Sequence, residues 1–322
     1  MKIGQFIIWE PSEVYPNAEF IAVFQVCGNR LLSMPPWNLL LICLLILALG
    51  SGCASKQSSI SSEGPEGWSE FVQQGVGDIS KGNYQQALEV MNAALQRQPE
   101  NPRLYYNRGL CYAGIKGYAR AIDDFERAIE LDPQFVEAYN NLAWTYFNMG
   151  EKEQAVRELQ RALHKMGESA QIQYNLGLVH ARMENYDKAS QHYSRAIELR
   201  PTMARAYNNR GVTMIHLQEY NKAIEDLDKA LSLDPNTARY AYNRAIALEE
   251  QGKTDKAISL YTKTLQKDHT FAPAYNNRGL LRFQMGMKNL GCQDLEQACD
   301  HGLCDRYRQL KQNGECSGAM ER

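Results

Sequence analysis

Small and large apolar residues recur along most of this chain with a fixed period of 34 residues. From Trp68, seven units follow without insertion or deletion: 68–101, 102–135, 136–169, 170–203, 204–237, 238–271 and 272–305. Position 8 of each unit is small: Gly75, Gly109, Ala143, Gly177, Gly211, Ala245 and Gly279. Position 20 is alanine until Gly291 in the last unit, and position 27 is alanine except at Thr264. Large residues stand at positions 4, 11 and 24, as Tyr105, Tyr112 and Phe125 do in the second unit. Helices approach closely only where side chains are small, so this spacing predicts two packed helices per unit. The turn between them falls near position 15, at a glycine or polar residue such as Gly82, Gly150 or Gly252. Pro99, Pro133, Pro201 and Pro235 at position 32 end the second helix, since proline lacks an N–H and disfavours helix at the residue before it. Gly167, His269 and Leu303 replace it elsewhere.

A period of this length marks a solenoid. The residues at positions 8, 20, 24, 27 and 32 resemble the tetratricopeptide repeat (TPR). That resemblance implies an all-α, right-handed α-solenoid of helix pairs over 68–305, with a cysteine-rich capping helix in 306–322. It also implies a non-catalytic scaffold whose first helices line a concave groove for extended or helical protein segments.

One polar column stands out. Position 6 is Asn107, Asn141, Asn175, Asn209, Asn243 and Asn277, after Gln73 in the first unit. An amide offers donors and acceptors to a peptide unit. The column resembles the asparagine ladder of O-linked N-acetylglucosamine transferase, which implies that it faces a partner's backbone. A second reading gives the asparagines packing or solvation roles. Trp144, Phe147 and Ile215 are expected to add apolar pockets to the groove, and position 5 alternates Tyr106, Asn140, Tyr174, Asn208, Tyr242 and Asn276. Arginines at position 7 (Arg108, Arg210, Arg244 and Arg278) are expected at the groove edge, solvated or paired with neighbouring acids.

The N-terminal region has a different character. Leu39 to Gly50 is a short apolar run, too short for an ordinary membrane-spanning helix but suited to a signal-peptide core. Gly50, Ser51 and Gly52 lead to Cys53. The arrangement, 34–52 with Cys53, resembles a bacterial lipoprotein signal, although the usual leucine three residues before the cysteine is displaced to Leu49. It implies lipidation of Cys53 and a membrane-anchored protein of the bacterial envelope facing the periplasm. Residues 1–33 are mixed and acidic, as a start nearer Arg30 or Met34 would explain. Residues 53–67 are rich in serine and glycine and are expected to form a flexible tether.

Charge and cysteines narrow the functional class. Lys plus Arg is 35 against 37 for Asp plus Glu, so no basic stripe points to nucleic acid. Of eight cysteines, Cys27 and Cys43 precede the proposed cleavage and Cys111 reads as a small packed residue. Cys292, Cys299, Cys304 and Cys316 crowd one end, which in an exported chain reads as disulfides. Cys292 and Cys299 lie about 10.5 Å apart along one helix, beyond the roughly 7 Å a bridge tolerates. A helix stopping at Gly302 and a short return helix would bring Cys299 to Cys304 and Cys292 to Cys316. The turn resembles those of Sel1-like repeats. A zinc site with His301 is the competing reading, without the C-x2-C spacing zinc knuckles use. No nucleophile motif or phosphate loop is present in the sequence, so neither cofactor nor metal is expected. The alternative to a scaffold is an enzyme with a site at the cysteine-rich end. Exported TPR lipoproteins resemble this organisation in pilus secretin pilotins and in adaptors of peptidoglycan hydrolases, which implies partners among envelope, secretion or pilus components or peptidoglycan enzymes.

Overall fold

The computed structural model describes residues 65–316, with side chains from Glu70 onward. The leader, Cys27, Cys43, Cys53 and the tether up to residue 64 lie outside the described residues. Fifteen helices and no strand occur among the described residues. Seven antiparallel pairs match the seven units. They are α1 Pro65–Ser80 with α2 Tyr84–Arg97, α3 Pro102–Gly114 with α4 Tyr118–Leu131, and α5 Val136–Asn148 with α6 Lys152–Met166. Next come α7 Ala170–Arg182 with α8 Tyr186–Leu199, and α9 Ala204–His216 with α10 Tyr220–Leu233. The last pairs are α11 Ala238–Glu250 with α12 Thr254–Lys267, and α13 Ala272–Gln284 with α14 Lys288–Asp300. A short α15, Asp305–Gln312, follows. The chain divides into two compact units, one up to Asn141 and one from Leu142, and the division falls inside α5. None of these helices is long and apolar enough to cross a membrane.

Local rules repeat with the sequence. Position 15 always takes a left-handed backbone: Gly82, Gly150, Gly252 and Gly286 do so as glycines, and Lys116, Glu184 and Gln218 at φ near +61°. After the second helix, Asp132, Asp234 and Asp268 accept backbone N–H bonds two residues on, from Gln134, Asn236 and Thr270. These side chains mimic a backbone turn and end the helix. Asp268 keeps that stop where His269 has replaced proline.

The close helix contacts occur where the small residues predict them. Ala121, Ala128, Ala155, Ala189, Ala223 and Ala257 have no exposed surface. Thr264, in place of alanine, returns its hydroxyl to the Leu260 carbonyl at 3.0 Å. Gly291 also has a physical cause. A Cβ there would lie 2.8 Å from the Gly279 carbonyl oxygen and 2.9 Å from the Phe283 nitrogen. In the last pair, backbone meets backbone, and not even alanine fits.

Within the unit from Leu142, first helices touch one another in succession: α7 meets α9, and α9 meets α11. Second helices make their main contacts with the first helices on either side. The unit therefore curves towards its first helices.

At the C-terminal end, α15 folds back on α14. Cys292 joins Cys316 and Cys299 joins Cys304. The first bridge is buried with Leu295 and Leu310, and Phe283 and Tyr307 pack against them. The four sulfurs are thus consumed in covalent pairs, which leaves no thiolate there for a metal. Cys111 is fully buried and reduced, and burial pushes its thiol up to about 12.

Gly211 tests the helix contact. An added Cβ would meet Leu227 Cγ at 2.8 Å and the Ala223 carbonyl at 3.1 Å. Gly211→Leu is expected to destabilise the chain by about 1–3 kcal/mol through overpacking, read from chemical denaturation.

Candidate functional site

The asparagine column lies between repeats. Asn209 donates to the Tyr174 hydroxyl at 2.9 Å, and Asn277 to the Tyr242 hydroxyl at 3.2 Å. In the N-terminal unit, Asn141 donates to the Tyr106 hydroxyl at 3.0 Å. Asn243 donates instead to Asn208 Oδ1 at 2.8 Å. Each bond joins position 6 to position 5 of the preceding repeat, so the alternation at position 5 sets the kind of rung. Asn208 and Asn276 also donate to their neighbours Asn209 and Asn277.

The surroundings of the rungs alternate as well. Tyr174 packs on Tyr193, and Tyr242 packs on Tyr261 and Phe271, with ring centroids 5.1–5.8 Å apart. Tyr106 packs likewise on Phe125 and Phe135. The odd repeats place Leu159, Leu227 and Leu295 at the position that Phe125, Tyr193 and Tyr261 hold in the even ones. The true structural period is thus two repeats, or 68 residues. This is why the hexapeptide Ala-Tyr-Asn-Asn-Arg-Gly at 206–211 returns at 274–279.

These positions correct the expected ladder. Asn209 is 2% exposed, Asn243 is 0% exposed, and Asn141, Asn175 and Asn277 are buried; only Asn107 is half-buried. Asn175 accepts from Gln171 at 3.2 Å. Amides bonded inside the stack are not offered to a partner's backbone. Trp144 and Ile215 are also core residues rather than groove pockets. Position 9 is mostly buried as well, at Leu110, Trp144, Leu178, Val212 and Ile246. Of the three expected apolar groove residues, only Phe147 stays half-buried, with Arg182 lying over its ring at 6.0 Å.

The arginines at position 7 form the second regular network. Arg108, Arg210 and Arg278 each grip an aspartate of their own repeat with two bonds of 2.7–2.9 Å, to Asp124, Asp226 and Asp294. Each also reaches the preceding second helix, at Asn92, Ser194 and Thr262. Each lies over the tyrosine three residues earlier, Tyr105, Tyr207 or Tyr275. One planar guanidinium so ties three helices together.

What the first helices leave partly open is the row at positions 12 and 13: Phe147, Arg182, His216, Glu249 and Phe283. Glu249 accepts the Tyr261 hydroxyl at 2.6 Å, and burial pushes its carboxyl up to about 7. His180, stacked on His192 with centroids 5.2 Å apart, is pushed down to about 4, first by burial and then by the charge of His192.

Profiles of the tetratricopeptide repeat match residues 78–139, 125–157, 170–203 and 202–267. The chain belongs to the tetratricopeptide repeat family. Its fold is similar to that of a TPR protein from Parabacteroides merdae, at 20% identity and a TM-score of 0.57, over 80% of this chain and 100% of that one. It is also similar to the APC/C Cut9–Hcn1 hetero-tetramer, at 17% identity and a TM-score of 0.59, over 88% of this chain and 52% of that one. Pseudomonas aeruginosa pilF aligns at 23% identity with a TM-score of 0.52, over 69% of this chain and 97% of that one. Identities this low carry the fold alone. No curated protein matches the sequence. TPR arrays generally bind proteins or peptides, and this TPR chain is an interaction scaffold.

Two predictions follow from the buried polar groups. Asn209→Ala leaves Tyr174 and Asn208 without their partner, so it is expected to destabilise the chain by about 1–3 kcal/mol in denaturant. An asparagine that only faced solvent would leave the midpoint unchanged. Glu249 binds a proton more tightly folded (about 7) than in its ordinary state, 4.5. Its folded form therefore loses stability as pH rises through that window. Glu249→Gln is expected to melt higher than wild type above pH 7 and to lose this part of the slope. Thermal melts across the window check both.

Proposed function

We propose that this TPR chain is an envelope scaffold, held at a membrane by a lipid on Cys53, that binds extended or helical segments of partner proteins along its first-helix face. The observation that carries the reading is the row at positions 12 and 13. Phe147 and Phe283 offer partly open apolar surface, while Arg182, His216 and Glu249 offer charge or hydrogen bonds beside it. Extended and helical segments are both recognised by such mixed rows, with apolar anchors for affinity and polar groups for register. The inward curve of the first helices supports the same choice of face. Small apolar residues before Cys53 support the anchor, and the disulfides at the C-terminal end suit an oxidising compartment.

A single crosslinking experiment tests face and location together. Phe147 is replaced by benzoylphenylalanine, with Ser232 on the exposed side of α10 as control. Irradiated cells are then fractionated. The expected result is a discrete adduct from position 147, none from 232, and loss of membrane partitioning with Cys53→Ser. Adducts equal at both positions would reject the face. Unchanged partitioning of Cys53→Ser would reject the anchor.

A further inference from the structure

Repeat 6 breaks both rules that its sister repeats obey around position 7. Arg108, Arg210 and Arg278 have a tyrosine three residues before and an aspartate sixteen residues after. Arg244 has Ala241 and Leu260 at those places. It therefore lacks the aspartate that its sisters grip on their own second helix and turns back to Asp228 of α10, 3.2 Å from Nη2.

An open cleft of about 450 Å³ lies where α10, α11 and α12 meet. Its apolar floor is Ile224, Leu248 and Leu260. Its rim carries Lys253, Lys256 and Lys263, with Arg244 behind them and Asp255 as the one carboxylate in the lining. All three lysines are exposed, and none pairs with a carboxylate among the described residues.

We propose that this cleft is a second docking site, on the second-helix side of repeat 6, for an acidic amphipathic segment of a partner protein. The occupant is set by charge complementarity. A segment alternating carboxylates with apolar side chains would lay its apolar residues on Leu260 and Ile224. Its carboxylates would meet Lys256, Lys263 and the outer edge of Arg244. Oppositely charged rims of this kind speed association and select partners. The site is independent of the first-helix face, since none of the residues at positions 12 and 13 lines it.

The test uses the purified full chain and a short fluorescein-labelled peptide of alternating Glu and Leu, followed by fluorescence anisotropy. A matched peptide of Lys and Leu is the charge control. Vesicles of phosphatidylglycerol distinguish a lipid surface from a peptide. The expected result is saturable binding of the acidic peptide that weakens as salt screens the lysines. Lys256→Glu with Lys263→Glu should weaken it by about tenfold or more. Leu260→Asp should also abolish binding while keeping or raising the melting temperature, because it gives Arg244 the pair found in repeats 2, 5 and 7. The proposal fails if the acidic peptide does not saturate, or if both variants bind it as wild type does. It also fails if the basic peptide binds equally, or if the chain binds the vesicles and not the peptide.

Discussion

Two helices bring their backbones close together only where neither is held away by a side chain larger than a methyl group. Positions 8 and 20 meet that condition in every repeat and position 27 in all but the sixth, down to the pairing of Gly279 with Gly291, where no Cβ at all is tolerated. A single pair meeting it buries only one of its faces. The other face needs the next pair, so stability is shared along the array rather than held in any one repeat. The polar networks depend on this closeness. An asparagine at position 6 reaches a hydroxyl 35 residues back because the helices that carry them already touch. A guanidinium spans three helices for the same reason.

Much of this was legible in the residue pattern. The helix pairs, their turns and the proline stops follow from spacing and side-chain size alone. The arginines pair with neighbouring acids, one of the two roles the pattern allowed. The asparagines were harder. A column of amides has the same sequence signature whether it faces a groove or the next repeat. The decision lies in the neighbour. The alternation at position 5 was plain, but its partner sits one repeat away, and the matching alternation of Phe125, Tyr193 and Tyr261 with leucine is visible only at a period of 68. Trp144 and Ile215 misled for a related reason. A large apolar residue on a first helix can serve the pair's own core or the open face, and a helical turn separates the two.

Glu249 shows where a regular array leaves room for chemistry. Most repeats put an apolar residue at its position. Here a carboxyl packs against Tyr261, and burial raises its pKa to about 7. Such departures stand out only against a strict pattern, and the same holds for Ala241 and Leu260. In a repeat protein the consensus builds the scaffold, and the exceptions to it are the natural places to look for specificity.

The alternating rungs also give the array a parity. Tyr174 and Tyr242 are separated by the smaller Asn208, and Tyr242 is followed by Asn276. Excising one internal repeat would set two tyrosines or two asparagines next to each other and put every later rung out of phase. Excising or adding two would restore the order. The unit that can be copied or lost without rebuilding an interface is therefore the pair of repeats.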